Sequence, residues 1–220
     1  MIAQNLMEIK GKLPSGVRLA AVSKFHPVDC LMQAYDAGQR VFAESRPQEL
    51  AEKVPQMPAD VEWHFIGHLQ TNKLKLVLPY ATLVESVDSL RLLVSIERWG
   101  AENDRTVAVL LEQHVSQDAT KQGFTETEIL KVLTQASKGA FPHVRFCGLM
   151  GMATLTEDPE IIHGDFARLS ETFAKVRAEL PQLTDFKELS MGMSDDWPLA
   201  IEHGSTLVRI GTAIFGPREY

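Results

Sequence analysis

The chain has 220 residues, 45% hydrophobic and 23% charged, with a formal net charge of −7. This balance suits one large globular domain and excludes a disordered chain, while the negative charge excludes a general nucleic-acid or anionic-membrane surface and still permits one local anion site built from backbone N–H groups. The two cysteines, Cys30 and Cys147, lie in apolar stretches without Cys-x-x-Cys spacing, which excludes a zinc ribbon or disulfide framework and predicts buried thiols.

Residues 1–13 form a short amphipathic segment that does not read as a signal peptide, and no apolar run approaches the roughly 20 residues needed to span a bilayer. A cytoplasmic address is expected. The first strand is predicted over 17–24, and a helix over 27–38, with Pro27 in its first turn and Gly38 as its stop. A short strand at 40–42 leads to a helix at 47–53. The aromatic and β-branched run 62–66 reads as a strand. A helix at 71–77, a strand at 81–85, a helix at 89–99 and a strand at 106–111 follow. A long loop over 114–123 precedes a helix at 126–137, a strand at 144–149 and a longer helix at 161–179. The last strands fall at 186–190 and 207–210, with a short helix at 195–203 between them. About eight strands alternating with helices imply a parallel sheet with helices outside it. Eight units favour a closed (β/α)8 TIM-type barrel over an open doubly wound sheet, and no Gly-x-Gly-x-x-Gly follows the first strand. No linker or low-complexity tract interrupts residues 1–220, so one domain is expected.

Three places carry candidate chemistry. Lys24 ends the first predicted strand and shares a face with Ala20 and Val22. At the carboxyl end of a barrel strand it reaches the functional mouth, where partial desolvation favours attack of its amine on a carbonyl. Taken alone, it is more often a solvated lysine. Residues 190–196 leave a strand and enter a helix, with Ser194 as the expected N-cap and Gly204 as the residue after the helix end. Such a turn offers N–H groups to an anion, whereas Asp195 and Asp196 would repel one and are expected to turn away. Taken alone, this too is simply a capped helix. The third place is Arg209 on the last strand, followed by Gly211 and Thr212. The glycine allows close backbone approach and the threonine supplies donors. Arg209 alternates away from Val208 and Ile210, so it faces the interior and needs a partner there; a structural ion pair would satisfy it. In a closed barrel the first and last strands are neighbours, which joins the lysine to the anion cradle.

Other residues carry plainer expectations. His64 reads as a hydrogen-bonded structural histidine, and Met150, Met152, Met191 and Met193 as core fillers. His143, His163 and His203 show no ligand spacing. Glu44, Glu85 and Asp88 read as a solvated acidic rim without assigned roles.

At these residues the sequence resembles the YggS/PROSC family of pyridoxal phosphate homeostasis proteins. The matching stretches are residues 21–24, 63–73, 148–154, 190–196 and 208–216, in family order and across nearly the whole chain. The resemblance implies the alanine racemase N-terminal barrel, PLP fold type III, with pyridoxal 5'-phosphate held as a Schiff base on Lys24. It implies that Ser194, Gly211 and Thr212 hold the phosphate and that Arg209 sits near the pyridine nitrogen, where a cation disfavours ring protonation. It places residues 63–73 near the cofactor mouth, with Asn72 and Lys73 at a helix start. One departure stands out: Ala43 and Ser45 replace the family's usual glycine and asparagine after the second strand, and serine lacks the amide's second hydrogen-bonding group.

The resemblance implies a non-catalytic carrier that holds or delivers the cofactor, with free amino acids or PLP-dependent apoenzymes as recipients. A PLP-dependent racemase or related enzyme is the alternative, and a cofactor-free Schiff-base aldolase a third. Racemisation needs acid/base groups on both faces of the α-carbon. The racemase relatives take one from an additional C-terminal domain, whereas this sequence stops at Tyr220, which favours the carrier and an expected monomer.

Overall fold

The computed structural model describes residues 1–118 and 122–217. The predicted 114–123 loop therefore lies partly outside the described residues, as does Tyr220. Eight described strands close a parallel barrel in sequence order: β1 (Arg18–Val22), β2 (Val41–Glu44), β3 (Glu62–Phe65), β4 (Leu83–Val87), β5 (Val107–Glu112), β6 (Val144–Met150), β7 (Glu188–Ser190) and β8 (Leu207–Ile210). The helices are α1 (Ile2–Lys12), α2 (Val28–Asp36), α3 (Pro47–Lys53), α4 (Leu74–Val77), α5 (Leu90–Glu102), α6 (Glu126–Ala136), α7 (Pro159–Glu179), α8 (Trp197–Glu202) and α9 (Thr212–Phe215). The TIM-type barrel expected from the alternation is what forms. Closure pairs Ala20 with Arg209 and Ala21 with Ile210, so the first strand lies beside the last.

The period-2 pattern explains the two apolar layers. Ala20 and Val22 pack inside the barrel with Val41, Ala43, Leu83, Leu110, Met150 and Leu207. Their neighbours Leu19, Ala21, Phe42 and Phe65 face outward and pack under the helices. Each large side chain so buried contributes roughly 1.5–3 kcal/mol. Ala43, replacing the family's glycine, is one of this inner layer rather than a cavity residue.

Local signals set several helix starts. The Ser89 hydroxyl accepts from the Leu92 N–H at the start of α5. Thr125 and Glu128 form a reciprocal capping box at the start of α6. Ser194 does not cap α8 as expected; Asp196 occupies that position, and its carboxylate accepts from the Met193 N–H instead. Gly204 follows the helix with φ +83°, as expected of a residue after a helix end. Cys30 and Cys147 are half-buried rather than buried, and burial pushes the Cys147 thiol up. Among the described residues no helix is long and apolar enough to cross a membrane.

Candidate functional site

The loops after β1, β7 and β8 converge on a cavity of about 240 Å³ at the carboxyl end of the barrel. Lys24, Ser194, Arg209, Gly211 and Thr212 all line it, together with His26 and Met152. Strand β1 ends at Val22, so Lys24 sits on the following turn rather than in the strand. It still keeps the predicted company, since Val22 lines the same cavity. Gly211 lies where β8 passes β1: a Cβ there would meet the Val22 carbonyl oxygen at 3.0 Å. Glycine therefore lets the chain turn into α9 while staying against the lysine strand. Across the cavity, Gly192 takes φ +96° to swing residues 193–195 over the mouth. The Ser194 hydroxyl accepts from the Ala213 N–H at 3.4 Å, tying that loop to the first turn of α9. Asp195 does not turn away; it lines the cavity as an exposed rim residue.

Arg209 forms the polar floor and is only 3% exposed. Its guanidinium donates to Ser190 Oγ at 2.6 Å and to the Gly151 carbonyl at 3.0 Å. Ser190 donates onward to Glu85 Oε2 at 2.5 Å, and the other Glu85 oxygen meets His64 Nδ1 at 2.7 Å. Arg209 and Glu85 themselves approach to 3.9 Å. Burial alone would raise the Glu85 acid. The His64 hydrogen bond and charge, with Arg209 and Ser190, outweigh it and hold the acid below its ordinary value. The expected partner of Arg209 is thus a carboxylate reached mainly through a serine.

Several expectations need correction. Glu44 and Glu85 are fully buried and Asp88 is 8% exposed, so no solvated acidic rim exists there. Glu85 instead shares the inward face of β4 with Leu83. Met150 and Met191 are buried, but Met193 is exposed at the cavity mouth. Of residues 63–73, Ile66 lines the Lys24 cavity, while His68–Asn72 line a neighbouring one of about 810 Å³ with Asp88, Ser89 and Arg91. Ser45 lines neither. Helices α7 and α8 bring His163 and His203 to 2.9 Å, a pairing that no sequence spacing announced. Among the described residues no group of three metal-ligating side chains forms.

This geometry has counterparts. The family model for the alanine racemase N-terminal domain matches residues 1–219. The chain is 37% identical over 232 residues to the pyridoxal phosphate homeostasis protein of Pasteurella multocida (strain Pm70), covering 100% of this chain and 98% of that protein. It is 34% identical to the protein of that name from Escherichia coli (strain K12), covering 100% and 97%. The solved structure of PipY from Synechococcus elongatus PCC7942 with PLP bound superposes with a TM-score of 0.89 at 36% identity, covering 98% of this chain and all of that one. Alanine racemase from Bartonella henselae gives 0.75 at 17% identity, covering 99% of this chain and 58% of that one, a likeness of fold alone. Matched over nearly its whole length and more than 30% identical to full-length relatives, the chain belongs to the alanine racemase N-terminal domain family, beside the pyridoxal phosphate homeostasis proteins.

Proposed function

We propose that this protein binds pyridoxal 5'-phosphate in the Lys24 cavity and serves intracellular homeostasis of that cofactor, holding it reversibly rather than using it for sustained catalysis. The observation that carries this reading is the meeting of one lysine, one buried arginine and the Ser194/Gly211/Thr212 cradle in a single cavity. The names of the full-length relatives and the PLP-bound PipY support it.

The donor set fits the group. Pyridoxal phosphate supplies an aldehyde that condenses reversibly with an amine. Lys24 is the amine. The Ser194 and Thr212 hydroxyls suit a phosphate, as does the nearby Ala213 amide, whose N–H meets the Ser194 hydroxyl at a long 3.4 Å. Gly211 keeps that turn against β1. Arg209 presents fixed positive charge at the floor, where it opposes protonation of a ring nitrogen. Ile66, Met150 and Met152 give the ring an apolar wall. The rim carboxylate of Asp195 opposes tight retention of an anion, which suits release. We read residues 1–220 as one domain, since the closed barrel uses strands from both ends of the chain. We further propose a cytoplasmic monomer that passes the cofactor to free amino acids or apoenzymes.

Borohydride reduction of protein incubated with pyridoxal phosphate, followed by peptide mass mapping, tests the site. The adduct is expected on Lys24; an adduct confined to other lysines overturns the assignment. Solvent deuterium exchange at the α-carbon of a panel of amino acids tests the carrier reading. Rapid exchange with stereoinversion would replace it with a racemase.

A further inference from the structure

Lys24 stands on a turn held from outside the barrel. Phe25 adopts φ +69°, a left-handed conformation that is a genuine outlier for a bulky residue. Such a backbone costs about 1–3 kcal/mol and persists only where its surroundings over-determine it. The surroundings here are the end of β2 and helix α3. The Phe25 N–H donates to Glu49 Oε1 at 3.0 Å. The Lys53 ammonium donates to the Ser23 carbonyl at 2.8 Å and to Glu44 Oε1 at 2.7 Å. The Ser23 hydroxyl donates to the same Glu44 oxygen at 2.6 Å. The Arg46 guanidinium lies 4.3 Å above the Phe25 ring. Both residues flanking Lys24 are therefore fixed by polar contacts from one helix and the strand before it.

The barrel–helix interface is mostly apolar, so this cluster of buried charges is an exception within it. Lys53 is 6% exposed and Glu44 fully buried. A buried ion cluster is a poor source of stability, and its attested uses lie in fixing one arrangement over others. None of its members lines the cavity, so it cannot act on a bound molecule directly.

We propose that Lys53, Glu44 and Glu49 are positioning residues that lock the Ser23–Phe25 turn and thereby present the Lys24 amine to the cavity. The proposal rests on the reading of Lys24 as the attachment point. Two variants test it. Lys53→Met with Glu44→Gln removes both buried charges together and keeps the volume, which preserves the fold. Glu49→Leu removes the acceptor of the Phe25 N–H at a partly exposed site. In ligand-free protein, amide hydrogen exchange at Phe25 is expected to rise by about tenfold or more in both variants, with distant barrel amides unchanged. The rate of covalent capture of pyridoxal phosphate, read by absorbance, is expected to fall by about tenfold or more from misplacement of the amine. Unchanged exchange at Phe25 or an unchanged capture rate, in either folded variant, overturns the proposal. Absence of a Lys24 adduct in the wild-type protein overturns the attachment reading instead, so the two failures are distinguishable.

Discussion

Two glutamates, Glu85 in the middle of β4 and Glu44 at the end of β2, are both fully buried, yet their acids move in opposite directions. Glu85 points into the barrel, where His64, Arg209 and Ser190 overcome desolvation and hold it ionised. Glu44 points out beneath α3. There desolvation dominates the pull of Lys53 and Ser23, the nearby Glu49 carboxyl adds to it, and the acid is pushed up to about 7. The second oxygens of Glu44 and Glu49 are buried without a hydrogen-bond partner among the described residues. Burial thus sets no fixed protonation state; the number and sign of neighbours decide it. The inner cluster holds its carboxylate below its ordinary value beneath the cavity floor. The outer one sits close to its own titration point.

The sharpest way to break this comparison is Glu85→Leu. It strands the Arg209 cation and the Ser190 hydroxyl, and a loss of about 3–5 kcal/mol is expected from chemical denaturation of ligand-free protein. A loss under about 1 kcal/mol would mean that Arg209 does not depend on its carboxylate. Lys53→Met probes the outer cluster more gently, because Glu44 can take up a proton when its cation is removed. The cost is expected to be about 1 kcal/mol at pH 6 and about 2–3 kcal/mol at pH 8. Equal costs at both pH values would show that Glu44 is already locked in one state. The last effect is read in the wild-type protein itself. Glu44 has an ordinary value of 4.5 and about 7 in the fold. Between these values the folded protein keeps a proton that the unfolded chain has lost, so this group's contribution falls as pH rises through the window and levels off above it. Glu85 behaves oppositely: its contribution is present above the ordinary carboxylate range and is lost as pH falls through its lowered folded value. Thermal midpoints of Glu44→Gln across pH 5–8 should lack the slope that the wild-type protein shows.

Much of this molecule can be read from its residues, and the failures have physical causes. Helix α3 and strand β8 fall where they are predicted, because proline starts the first and the second is a short, fully buried and mostly apolar run. Strand β4 runs two residues later than expected. Glu85 lies on the inward face of that strand, two residues from Leu83, where a solvated rim was expected. Lys24 lies on a turn two residues beyond the strand end, yet it shares its cavity with Val22, as the strand reading expects. Ser194 failed as a helix cap because Asp196 took that position while its own side chain bonds back to Met193. The clusters around Glu85 and Glu44 could not be read in this way. Their members are brought together by barrel closure and by the return of α3, and local periodicity contains neither distance. A glutamate seen alone is most often solvated, and only the fold shows that these two are not.

The pairing of β1 with β8 has a consequence for assembly. Lys24 and the proposed anion cradle at Gly211 and Thr212 come from opposite ends of the chain and become neighbours where β8 meets β1. A chain lacking β8 lacks Arg209, Gly211 and Thr212, so the proposed site is complete only in the closed ring. Ligand capture is therefore a report that ring closure is finished. By mass action, a bound ligand also holds that seam shut, and its protection should fall first on the terminal strands that meet there.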